Sequence, residues 1–87
     1  MSNLEIIQKV LKVKLQTCES SNILAYGWNE KNRSLIVVFK NYSTYAYLQR
    51  SKEDYEELNK AESKGTWVNA NLVKLKVKFK KYVLNLK

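Results

Sequence analysis

Apolar and polar positions alternate most regularly near the end of the chain, where Val73, Leu75, Val77 and Phe79 are interleaved with Lys74, Lys76, Lys78 and Lys80. A period of two predicts a strand that is half apolar and half cationic. A helix would scatter these lysines around its circumference, so an amphipathic membrane-binding helix is the weaker reading here. At the other end, Leu4, Ile7 and Leu11 with Ile6 and Val10 have helical spacing, whereas Leu11, Val13 and Leu15 alternate with Lys12, Lys14 and Gln16. A short helix running into a strand satisfies both patterns.

Between these ends, Ile23 to Trp28 and the β-branched run Leu35 to Phe39 flank the polar stretch 29–34, which is a hairpin signal. Asn41 lies where a second turn is needed. Thr44 to Leu48 then predict a third strand that projects Tyr45 and Tyr47 from one face. Ser51 followed by Asp54 has the spacing of a capping box, and Glu53, Asp54, Glu56 and Glu57 complement the positive end of a helix dipole. Tyr55, Leu58 and Ala61 give that helix a narrow apolar stripe, and Gly65 after Lys64 reads as its left-handed closing residue. The elements add up to an α+β fold. A small antiparallel sheet, made of the hairpin and a third strand, is covered by one helix, with an N-terminal helix or strand and a basic C-terminal strand added.

Eighty-seven residues without Pro or linker composition predict one domain, 1–87, with a modest core. A pocket that encloses a small molecule competes with so small a core, and forms more readily between copies, so a homo-oligomer is expected. Sixteen Lys and Arg against eight Asp and Glu leave a formal charge of +8, which favours phosphorylated or polyanionic partners. The charge is uneven: 72–87 hold six lysines and no acid, whereas 53–62 hold five acids and one lysine. A lone Cys18 and the absence of His leave no intrachain disulfide, metal cluster or nucleophilic pair, so we expect neither an enzyme nor a cofactor. No apolar run approaches a membrane span, and cytoplasmic residence fits the cysteine usage.

From Ser20 to about Asn71 the chain resembles the KTSC family, a short domain named after the C-terminal extension of some lysyl-tRNA synthetases. The resemblance is carried by Ser20, Ser21, Asn22 and Ile23, then Tyr26, Gly27 and Trp28, the run Leu35 to Phe39, and Tyr45, Ala46 and Tyr47. Ala61, Ser63 and Gly65, followed by Trp67 and Asn69, complete it. It implies a β-β-β-α core over 20–71, the RNA-binding role ascribed to the family, and stand-alone occurrence in bacteria and their phages. Arg50 and Ser51 depart from the pattern, which has an apolar residue and Pro there, as does the lysine-rich tail.

Several residues are candidates for ligand binding, each with a structural alternative. Tyr45 and Tyr47 either stack bases or pack under the helix as core. Lys74, Lys76, Lys78 and Lys80 on one strand face would stand about 6.6–7 Å apart, near the repeat of an extended phosphate backbone, or else guard a sheet edge against aggregation. Arg50 precedes a helix N-terminus and can grip phosphate bidentately. Ser20, Ser21 and Asn69 either form turns and caps or read the hydroxyls of a ribose. Two functions follow. One is a phage-type sponge that sequesters a host immune nucleotide signal, cyclic or derived from ADP-ribose, and so serves anti-defence. The other is a small module for tRNA or single-stranded RNA, with an acidic protein partner as a third possibility.

Overall fold

The computed structural model describes residues 2–84. Helix α1 (Asn3–Leu11) begins at Ser2, whose hydroxyl accepts from the Glu5 amide while the Glu5 carboxylate accepts from the Ser2 amide. It ends at Lys12 in the left-handed conformation, φ 55°. The strands β1 (Gln16–Thr17), β2 (Ile23–Asn29), β3 (Ser34–Phe39), β4 (Thr44–Tyr47) and β5 (Phe79–Tyr82) form one antiparallel meander in chain order. Helices α2 (Lys52–Lys60) and α3 (Lys64–Val68) and a π-helical turn (Asn69–Val73) lie between β4 and β5 in sequence.

Central strand β3 is apolar on both sides, and both sides are covered. Ile36 and Val38 pack with Ala25, Ala46 and the α1 side chains Ile7 and Leu11. Leu35 and Val37 pack on the opposite face with Tyr26, Tyr47, Leu58, Val68 and Leu72. An uninterrupted apolar strand is what burial on both faces requires. In β2 the pairing slips between Ile23 and Ala25, and this irregularity sends Ile23 to one core and Ala25 to the other.

The hairpin, the third strand, the N-terminal helix and the Ser51–Asp54 capping box all occur where the sequence pattern predicts them. The α+β class with one antiparallel sheet is as expected, and three details are added or corrected. First, the N-terminal helix covers the second face of the sheet.

Second, the helix that starts after Ser51 does not run to Gly65. It stops at Lys60, Ala61 is extended, and Ser63 caps a new helix by accepting from the Thr66 amide. The Lys64 ammonium donates to the carbonyls of Asn59 (2.9 Å) and Ala61 (2.6 Å), which satisfies the end of α2. Gly65 lies inside α3 without a positive φ. Its missing side chain makes room for the Asn22 carboxamide, which a Cβ there would overlap.

Third, Val73 to Lys78 are not a strand. Val68 and Leu72 are buried at helical spacing and carry the chain through the π-helical turn, and Lys76 then reverses it at φ 54°. Helical burial of Leu72 therefore overrides the alternation that follows it, and only Phe79–Tyr82 pair with β4.

Gly27 allows the segment after α1 to cross the sheet closely, since a Cβ there would stand 2.7 Å from the Lys14 carbonyl and 2.8 Å from Leu15 Cδ2. Backbone cannot move aside as a carboxamide can. Gly27→Ala should therefore destabilise the fold by about 1–3 kcal/mol, and Gly65→Ala by less because Asn22 can swing away. Urea unfolding of both variants measures this, and an unchanged midpoint for Gly27→Ala would contradict it.

Candidate functional site

Between the π-helical turn and the β4–β5 side of the sheet runs an open groove of about 1000 Å³. Its floor is aromatic. Tyr45 meets Phe79 edge-on at 5.0 Å and Phe39 edge-on at 5.5 Å between ring centroids, and Tyr47 lies 6.2 Å from Tyr45 and 5.8 Å from Phe79. Tyr47 is buried and Tyr45 half-buried, both on the α2–α3 side, so they belong to the core and also line the groove. Phe79 is 52% exposed, which leaves a ring available at the rim.

Lys40, Lys76 and Lys78 line the same groove, and no carboxylate does. Local charge there is positive and unneutralised. Of the four alternating lysines, Lys76 and Lys78 reach the groove and Lys74 does not. Lys80 pairs with Ala46 and its ammonium lies 5.1 Å from the Tyr82 ring, a residue of the α1-side core. It therefore stands on the opposite sheet face from the tyrosines. The four ammonium groups do not share one strand face, because the reversal at Lys76 breaks the strand before it starts. Lys81 takes the place expected for Lys80, with its ammonium 5.7 Å from the Tyr45 ring.

Arg50 is elsewhere. Its Nε donates to the carbonyls of Leu48 (3.3 Å) and Gln49 (3.2 Å), and its guanidinium lies 3.8 Å from the Asp54 carboxylate. With Arg33 it borders a separate concavity. Ser51 and Asp54 already cap the α2 terminus. Ser20 forms a turn: its hydroxyl accepts from the amides of Asn22 (3.3 Å) and Ile23 (3.2 Å) and donates to Asn22 Oδ1 (3.1 Å). Ser21 and Asn22 border the groove and also a smaller polar cleft of about 410 Å³, where Ser20, Ser63, Gly65 and Asn69 gather.

Lys40, Phe79 and Lys81 are not among the ligand-binding candidates that the sequence offers. The one usable signal is the second lysine of the Lys80–Lys81 pair, whose place on the tyrosine face depends on the register of β5 against β4. Among the described residues, no cluster of three or more His, Cys, Asp or Glu is placed to hold a metal ion, and no helix is long and apolar enough to cross a membrane.

A five-stranded meander with helices on both faces and an aromatic, cation-bordered groove defines a small α+β domain with a candidate ligand site. The KTSC domain model matches residues 19–74, more than half of the chain, and the chain belongs to the KTSC domain family. Its fold is similar to the crystal structure of a KTSC domain protein from Yersinia pestis, with a TM-score of 0.72 and 30% identity, over 82% of this chain and 99% of that one. No curated protein matches the sequence.

Burial raises the Tyr47 phenol above its ordinary value, with Tyr45 adding to the shift, and burial likewise raises Tyr26, with smaller contributions from Tyr55 and Cys18. Burial also raises the Cys18 thiol, against the fields of Lys64 and Lys40. A phenol that holds its proton more tightly in the folded state stabilises the fold below about pH 10, and that contribution is lost as pH climbs through the folded value. Urea midpoints should therefore fall between about pH 9 and about pH 11, and fall less steeply for Tyr47→Phe than for the parent chain. Parallel pH profiles for the two would contradict this.

Proposed function

We propose that this protein is a non-enzymatic binding protein for a phosphate-bearing nucleotide. The observation that carries the proposal is the groove that combines the rings of Tyr45, Tyr47 and Phe79 with Lys40, Lys76 and Lys78. Nucleobases stack on such rings for roughly 1–3 kcal/mol each, and ammonium groups supply point charges for phosphate. The groove's lining holds no carboxylate and no cysteine, and the chain has no histidine, so it offers hold without a general base of the usual kind. Holding without turnover is what a sponge does. The role in view is that of a phage product which removes a host immune nucleotide signal from the host cytoplasm. Val73 and Phe79 line this groove and are 49% and 52% exposed, an apolar lip that a second copy would cover, which supports action as a homo-oligomer.

RNA binding is the second reading, favoured by the cations on both faces of β5, Lys80 beside Tyr82 and Lys81 beside Tyr45. The two readings differ in salt dependence. RNA binding predicts a slope near one unit of log affinity per phosphate neutralised and affinity that grows with RNA length.

Titration calorimetry with cyclic nucleotides and ADP-ribose-type nucleotides should find a saturable site; no binding tighter than about 10 µM would remove the nucleotide reading. Tyr45→Ala should weaken that binding about 5- to 150-fold, the equivalent of one lost stack. Lys76→Ala and Lys78→Ala should weaken it as well, whereas Lys80→Ala should leave it within about twofold, since only exposed charge on the far face is lost.

A further inference from the structure

The groove and the polar cleft share a wall made of Ser21 and Asn22, and their charges are opposed. Glu19 and Glu62 border the cleft. Its one lysine, Lys64, has its ammonium hydrogen-bonded to the carbonyls of Asn59 and Ala61. The groove has three lysines and no acid. With two carboxylates and one ammonium the cleft is net negative, so a phosphate is favoured in the groove over the cleft. What suits the cleft is a neutral group rich in hydroxyls, because Ser21, Thr66 and Asn69 offer hydroxyl and amide partners and a carboxylate can accept from two neighbouring hydroxyls. No protein partner is shown for the side chains of Ser21, Asn69 or Glu62 among the described residues, so these groups are not already used by the fold.

Lys40 joins the compartments. Its amide donates to the Asn22 carbonyl at 2.9 Å and it borders the groove next to the shared wall. Size permits a ligand that reaches both: about 1000 Å³ in the groove and about 410 Å³ in the cleft fall in the usual range of ligand sites.

From this opposition of charge across one wall we infer that the ligand is a nucleoside diphosphate carrying a terminal sugar. Its base lies on the aromatic floor, its diphosphate against Lys40 and the groove lysines, and its sugar in the cleft, where Glu62 accepts from two vicinal hydroxyls. This deepens the nucleotide reading and rests on it.

The test compares ADP with ADP-ribose by titration calorimetry on the full chain. ADP-ribose should bind about tenfold or more tightly than ADP, the gain from charge-assisted hydrogen bonds to the added sugar. Glu62→Gln and Asn69→Ala, both at exposed positions, should bring the two affinities to within about threefold while leaving ADP binding unchanged, with thermal unfolding confirming an intact fold. If ADP and ADP-ribose bind the parent chain equally, or Glu62→Gln keeps the full preference, the sugar assignment fails and the nucleotide reading stands. If neither ligand binds, the sugar assignment fails, and the nucleotide reading fails with it only if the cyclic nucleotides do not bind either.

Discussion

A strand that is apolar on both faces cannot be satisfied by one covering layer. Leu35, Ile36, Val37 and Val38 are all essentially sealed from solvent, two toward each face of the sheet, and the rest of the chain is arranged to accomplish this. Helix α1 and the segment through Leu15 close one side, made possible by the absence of a side chain at Gly27. Leu58, Val68 and Leu72 close the other. Because these last residues come from three successive short helical pieces rather than one long helix, the cover bends and leaves the β4–β5 side of the sheet open. The groove is what remains uncovered.

Electrostatics then distinguishes one surface from the next. Several acids are engaged locally: Glu5 caps α1, Asp54 caps α2, and Glu30 accepts from the Trp28 indole N–H. The groove collects lysines from the 40–43 turn and the loop before β5, with no acid to neutralise them. An overall charge of +8 is thus divided into a cationic aromatic groove and a cleft with two carboxylates, separated by the turn that Ser20 holds together. The residues of the KTSC pattern Ser20, Asn22, Ser63, Gly65 and Asn69 meet in that cleft although up to 49 positions separate them in sequence. The packing of Gly65 against Asn22 brings the two segments into contact.

Taken alone, the sequence determined those elements whose local periodicity and local hydrogen bonds met no competing pattern. The hairpin, the tyrosine strand, the first helix and the Ser51–Asp54 cap are each written within a window of a few residues. It also indicated that Tyr45 and Tyr47 share a face. Tertiary structure decided the rest, wherever two local patterns competed or a residue's role lay in a distant neighbour. Alternation from Val73 to Lys80 was as regular as any in the chain, yet burial of Leu72 in a helical turn won over it, because covering β3 removes more apolar surface from water than extending an edge strand. Which face of β5 meets the tyrosines is set by its register on β4, where Phe79 opposes Tyr47 and Lys81 opposes Tyr45, so Lys81 rather than Lys80 stands beside Tyr45. Gly65 shows the same limit: a glycine after a lysine reads as a helix end, and only the presence of Asn22 against it in three dimensions reveals a close approach instead.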